Sequence, residues 1–259
     1  MNMVVLLAGV ADPKWPLAAV STDLLGDRAR NHICLSPFDE AALEIALKIR
    51  EGRSGTRVTV AMAGGAESDP LLRKVAAYRP DRAVRIDGGT LALHDARTLA
   101  AALAALVPQL DATADMVLIG REFGDCDSGA VPPCLAATLG WRLFALAQHA
   151  HWLDGRLWLV REQGNVEESV PVEGQWVVSV TNDRRNRLRH PLMKNVIEAR
   201  RMSVATLGPS PPARARLALD AVAAAPARTR DLPCRMLSGA LATQVGELAA
   251  FLAPWKART

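Results

Sequence analysis

The sequence predicts an α/β fold, a doubly wound and mainly parallel sheet. Three observations carry that expectation. The chain opens on an unbroken apolar run, Met3 to Val10; strand-like and helix-like segments then alternate four times before Trp141; and the links between them are short. An unbroken apolar run suits a strand covered on both faces, as parallel strands are, better than one with a wet side. Right-handed crossovers are expected throughout.

Val4–Gly9 is the first strand. Residues 11 to 35, broken by Pro13, Pro16 and Gly26, read as a long excursion, either functional or an added hairpin. Ser36 to Glu51 is a helix. Ser36 suits the N-cap, Pro37 the first helical position, and Asp39 the third in a capping-box arrangement. Phe38, Ala42, Ile45, Ala46 and Ile49 recur at helical spacing, and Glu44 can pair with Lys48 one turn on. Arg57–Met62 is the second strand, followed by Gly64-Gly65 and a helix through about Tyr78. Asp81–Ile86 is the third strand, His94 to Leu106 an Ala/Leu helix, and Asp115–Ile119 the fourth strand, ending at Gly120.

After Trp141 the pattern changes. Arg156–Arg161 and Glu167–Val172 form a hairpin turning at Gln163-Gly164-Asn165, and Trp176–Thr181 is a further strand. An Arg-rich loop and a short helix near Asn195–Arg201 follow. Thr206 to Leu232 is Pro/Ala/Arg-rich and linker-like, and Leu241 to Leu252 is a last amphipathic helix. The expected division is therefore an α/β domain over residues 1–205 and an extended arm with a terminal helix over residues 206–259. The arm has little core of its own, so a partner subunit is the simplest surface for it.

With 259 residues, half of them hydrophobic, the chain can bury a sizeable core. The net charge of +4 is concentrated in Arg184 to Arg189 and Arg200-Arg201, a local patch on the chain. Cys34, Cys126, Cys134 and Cys234 form no CxxC pair, and no basic-plus-apolar leader precedes the first strand, so a reduced, cytoplasmic protein is expected. No apolar run reaches the ~18 residues of a membrane span.

Two junctions carry the chemistry. At Gly120–Val131 a strand end, an acidic turn and a small-residue helix follow in succession. Asp125, Asp127 and Ser128 are N-cap-competent, and the amides of Gly129, Ala130 and Val131 lie at the positive end of the helix dipole, where a phosphate can sit. The bland reading is an ordinary capped helix. At Ser36–Glu40, Phe38 either anchors the helix in the core or flanks a planar ring. The Arg184–His190 run reads as a solvated turn, a docking loop or a phosphate clamp; it lacks the interleaved aromatics of single-strand binding. On a strand His149 and His151 would share one face, but no third ligand cluster accompanies them, and no metal is expected. No nucleophile–base pair is evident, which favours a protein that positions a cofactor over one with its own catalytic residues.

Taken in order, these segments resemble the small (β) subunit of the electron transfer flavoproteins over roughly residues 3 to 205. Ser36-Pro37-Phe38-Asp39-Glu40 is similar to that family's Asn-Pro-Phe-Asp/Cys-Glu, and Val58 to Gly64 to its second strand and glycine. Gly120 through Trp141 resembles its Gly-Lys-Gln-Ala-Ile-Asp-Asp-Asp-Ser/Cys-Asn-Gln segment and Leu-Gly-Trp ending. Arg184-x-Asn186-x-x-Arg189-His190 and Asn195 to Arg201 resemble its Arg-x-Asn-x-x-Arg-Tyr and Asn-Ile-Met-Lys-Ala-Lys-Lys.

The resemblance implies a Rossmann-like nucleotide-binding fold and a heterodimer with an α subunit. FAD is shared at the interface, and AMP is held in this chain by Ala8, Ser36, Pro37, Phe38, Asp39, Ala63, Gly120, Gly124, Asp125, Cys126, Asp127, Ser128, Gly129, Ala130 and Val131. It places Phe38 near the flavin, with Trp15 about where the family has a tyrosine. It makes Arg184, Arg189, Met193 and Asn195 partner-docking residues, Met193 matching the leucine of the loop that enters a flavin dehydrogenase. Cys126 stands for the family's second Asp, and Gly129-Ala130 for its Asn-Gln, which removes polar side chains but keeps the amides. Leu188 and Lys194 replace two prolines.

The implied function is electron carriage from flavin dehydrogenases to a membrane quinone reductase, with no catalytic residue in this chain. The alternatives are an electron-bifurcating subunit holding a second FAD and oxidising NADH, and a stand-alone nucleotide-binding regulatory module. Nucleic acid is not an expected partner.

Overall fold

The computed structural model describes residues 1–15, 32–209, 214–218, 220, 234 and 236–256. In chain order the strands are β1 (Asn2–Leu7), β2 (Val10–Ala11) and β3 (Ile33–Cys34), then helix α1 (Pro37–Gly52) and β4 (Arg57–Gly64). Next come α2 (Asp69–Ala76), β5 (Arg82–Asp87), α3 (Ala96–Leu110), β6 (Met116–Gly120) and α4 (Val131–Leu139). The second half holds β7 (Arg142–Ala147), β8 (His149–Leu153), β9 (Arg156–Gln163), β10 (Val166–Pro171), β11 (Trp176–Val180), α5 (Met193–Arg200) and β12 (Ala205–Leu207), before α6 (Leu241–Lys256).

Seven strands form one sheet in the order β12-β5-β4-β1-β6-β11-β7, and every pair in it is parallel. Chain order runs outward from β1 through β4 to β5, then returns to β6 on the other side. The doubly wound expectation is met, and β1 and β6 flank the point where the winding reverses.

The apolar run of β1 shows why the sheet needs helices on both faces. Met3, Val5 and Leu7 pack with Leu43, Ile45 and Ile49 of α1, while Val4, Leu6 and Ala8 pack with Leu99, Leu103 and Leu106 of α3 and Leu135 of α4. Helix α1 starts as the sequence suggests: Ser36 Oγ accepts from the Asp39 amide, and the Asp39 carboxylate accepts from the Ser36 amide. Lys48 and Glu44 lie 3.9 Å apart.

The excursion after β1 opens and closes as a two-stranded ribbon, β2 with β3; the rest of it falls outside the described residues. The β9–β10 hairpin forms as expected, and β8 adds a third antiparallel strand. Strands β7, β8 and β12 were not expected. Strand β7 is an edge strand whose Leu143 and Leu146 are exposed, and β11 shifts register against it, so it carries no clean apolar pattern. Strand β12 is three residues long and straddles the expected boundary at 205/206. The chain divides into two compact units, Met1–Ala223 and Ala224–Thr259. In the second, α6 exposes Leu241, Val245, Leu248 and Leu252 at helical spacing. No helix among the described residues is long and apolar enough to cross a membrane.

Candidate functional site

Most of the nucleotide-site residues expected above gather at the carboxyl edge of the sheet, beside the winding reversal. Gly9 leaves β1 at φ +66°, with the Cys34 carbonyl 3.0 Å from where a Cβ would stand. A side chain there would be both strained and crowded. The turn aims the Gly9 amide at Asp39 Oδ2, 3.1 Å away, so the Asp39 carboxylate ties the end of β1 to the start of α1. Ala8 and Ala63 are buried at the ends of their strands.

Asp39 is fully buried, and its Oδ1 has no hydrogen-bond partner among the described residues. Burial pushes its carboxyl above the usual range, against the opposing pull of hydrogen bonds from Ser36, Gly9 and Ala8. Because the folded value exceeds the unfolded one, the native state binds more protons between the two. Stability therefore falls as pH rises through that window, and the penalty is complete above it. Asp39→Asn is expected to remove this slope: chemical denaturation at pH 4.5 and pH 8 should differ by less in the variant than in the parent, whereas an unchanged difference would refute the assignment.

The end of β6 approaches α1 just as closely. A Cβ on Gly120 would lie 3.0 Å from Phe38 Cβ and 3.0 Å from the Glu122 carbonyl. Gly120→Ala is accordingly expected to cost about 1–3 kcal/mol and to displace Phe38; a variant with unchanged denaturation midpoint would show that the contact yields freely. Phe38 is half-buried and lies under the Arg121 guanidinium, 4.9 Å from its ring centroid. Trp15 is exposed and lies against His32, the rings tilted by 31° with 4.2 Å between centroids.

The loop from Arg121 to Ala130 is organised by two carboxylates. Asp125 Oδ1 accepts from the Ala11 amide at 3.0 Å and joins the loop to β2. Asp127 is buried. Its Oδ2 accepts from the Phe123 amide at 3.0 Å, and its Oδ1 accepts from the amides of Gly129, Ala130 and Val131 at 3.0, 2.8 and 3.3 Å. These last three are the amides expected to cradle a phosphate. They are paired with a side chain of the loop itself, whose charge also repels a phosphate. Cys126 and Ser128 flank this cap, with Cys126 exposed. The three amides that the sequence offers to a phosphate are thus already occupied in this fold, while Asp39 Oδ1 is left as a buried acceptor.

The Arg-rich segment is held by ion pairs. Asp183 accepts from the Arg185 amide and guanidinium, and Arg185 also reaches Glu162. Arg189, expected as a docking contact, is directed into the fold: its guanidinium sits 2.8 Å from Glu44 Oε1 and also bonds Glu51. Glu44 is 3% exposed. Hydrogen bonds from Arg189 to Glu44 and then Glu51 hold the guanidinium even further above its ordinary pKa. Asn186 is buried and donates to the Gln148 carbonyl. Past these anchors, Leu192, Met193 and Ile197 stand out as exposed apolar side chains; Arg184 is exposed and Asn195 half-exposed. Glu44 was legible only as a helix pair with Lys48; its contact to Arg189 spans 145 residues. His149 and His151 stack at 5.4 Å, and among the described residues no group of three or more potential metal ligands forms.

Comparison with known proteins decides the family. Residues 24–225 match the electron transfer flavoprotein domain, most of the chain. This chain belongs to the electron transfer flavoprotein family. It is 29% identical over 215 residues to a protein of Mycobacterium bovis named electron transfer flavoprotein subunit beta, a match covering 80% of this chain and 78% of the relative. A Bradyrhizobium diazoefficiens protein of the same name is 28% identical over 173 residues, covering 66% of this chain and 67% of that one. A rice protein named as a mitochondrial beta subunit is 27% identical over 172 residues, 64% of this chain and 65% of its own length. All three relatives are named as beta subunits, and the seven-stranded parallel sheet agrees with the doubly wound fold that the sequence predicts.

Proposed function

We propose that this chain is the small subunit of a heterodimeric electron transfer flavoprotein that carries electrons from flavin dehydrogenases to a membrane quinone reductase. In this reading it works in the cytoplasm beside a larger α subunit and shares FAD with it. The observation that carries the reading is the meeting of the Ser36–Asp39 helix start with the Gly120–Val131 loop at the winding reversal of the sheet, in a chain of this family. When bound, FAD supplies the redox chemistry. This chain's part is to position and to dock. Phe38 under Arg121 offers a flat apolar surface beside the crevice. Leu192, Met193 and Ile197 offer an apolar tip on a base locked by Arg189 and Glu44. The exposed face of α6 supports an arm over residues 206–259 that covers itself on the α subunit.

The same reading gives this chain an adenine nucleotide held through its adenosine part near Asp39, with Ala8 and Ala63 contributing backbone. The phosphate lies outside the Gly129–Val131 amides, because Asp127 holds them. Co-purification with the candidate α subunit, heat release and quantification of the freed nucleotides test both levels. One FAD with one AMP per heterodimer is the expected result. Two FAD would favour the bifurcating alternative, FAD without AMP would retire the nucleotide site alone, and absence of a heterodimer would overturn the reading.

A further inference from the structure

We propose that the start of α3 forms a second anion site, one for the phosphate group of a small molecule. A cavity of about 240 Å³ is lined by Arg97, Thr98 and Ala101 of α3, Thr138 of α4, and Arg214 and Arg216 of the segment beyond β12. Three of the six lining residues are arginines and none carries a carboxylate. Several arginines elsewhere are ion-paired: Arg85 with Asp69, Arg161 with Glu168, Arg185 with Asp183, Arg189 with Glu44. Among the described residues, Arg97, Arg214 and Arg216 have no such partner.

Like charges gathered around one cavity repel, so something must hold them there. Asp95, buried at the N-cap of α3, does so through the backbone. Its Oδ1 accepts from the Thr98 amide at 3.1 Å, and its Oδ2 from the Thr98 hydroxyl at 2.8 Å, the Arg216 amide at 2.7 Å and the Leu217 amide at 3.3 Å. His94 Nε2 lies 3.1 Å from the Leu217 carbonyl and adds a second tie. Burial works against ionisation of Asp95, but these hydrogen bonds outweigh it and hold the carboxyl well below the usual range. The carboxylate at this helix start is thus engaged with amides and a hydroxyl, and among the lining residues positive charge is in excess.

That excess, together with planar guanidinium forks, is the chemistry that recognises phosphate oxygens. Ligand pockets for drug-sized molecules run from about 300 to 1,000 Å³, so this smaller cavity suits a phosphate or diphosphate group. The arginines are exposed, and binding is therefore expected to weaken as salt rises.

Isothermal titration of the full chain with inorganic pyrophosphate tests the site, in parallel with the double variant Arg97→Gln/Arg214→Gln. Both side chains are on the surface, and circular dichroism checks that the variant is folded. The expected result is saturable binding at low salt that weakens about tenfold or more in the double variant, one decade being about 1.4 kcal/mol. A lysine version, Arg97→Lys/Arg214→Lys, should recover part of it. No saturable binding, or binding undiminished in the glutamine variant, would overturn the proposal. So would binding to phosphatidic acid vesicles with none to pyrophosphate.

Discussion

Arg189→Met is expected to lower the unfolding free energy by about 2–3 kcal/mol and to loosen the segment bearing Met193. Breaking a buried ion pair by removing one partner costs about 3–5 kcal/mol, because the other charge stays buried without compensation. Here Glu44 is the stranded charge, 4% exposed at its side chain. Two facts reduce the cost. Arg189 itself is 36% exposed, and Lys48 remains 3.9 Å from Glu44. Urea denaturation reads the loss directly. Adding Glu44→Gln to Arg189→Met should recover part of it, since a neutral amide is cheaper to bury than an unpaired carboxylate. If the double variant is no more stable than the single one, the buried charge was not the cause. In the proposed carrier, Arg189→Met should also weaken dehydrogenase docking while leaving FAD content unchanged. A surface docking contact would show the second effect without the stability loss.

Asp127→Ala is expected to cost about 3–4 kcal/mol. Each amide left without an acceptor costs about 1–3 kcal/mol where it is buried and less where water reaches it. Asp127 serves the amides of Phe123, Gly129, Ala130 and Val131 at once. Asp127→Asn keeps an acceptor and loses the charge, so it should cost distinctly less. The two variants separate structure from ligand binding. If Asp127 excludes phosphate from the amides, the asparagine variant should bind AMP more tightly relative to adenosine than the parent does. An unchanged AMP-to-adenosine ratio would mean that the phosphate never approaches this helix start.

What the residues revealed in advance follows from how local each signal is. The β1 run, the Ser36 cap and the Gly164-Asn165 turn are stated by neighbours in sequence, and the structure has all three. Strand β7 was invisible because an edge strand keeps few buried side chains, and β12 because three residues are too few to show a period. Of the candidate site, the two junctions and the order of their residues were legible. Their meeting in one site was implied only by the family resemblance, since neither junction states it by itself.

The sequence by itself determined the α/β alternation, the helix start at Ser36, the family resemblance and the places where a ligand could meet the chain. Those depend on side-chain periodicity, capping chemistry and local turns, which act over a few residues. Tertiary structure alone decided which charges cancel. Arg189 and Glu44 lie 145 positions apart, and Arg189 looked like a free surface group until the fold brought the two within hydrogen-bond distance. Asp95 instead takes the backbone amide of Arg216, 121 positions on, and leaves that guanidinium unpaired among the described residues. Asp127 made the same point at short range: its two oxygens close over four amides only once the loop has bent back on itself, so an anion cradle in the sequence became a self-capped helix in the fold. Electrostatic interactions fall with distance in space and burial strengthens them, and neither quantity is written along the chain.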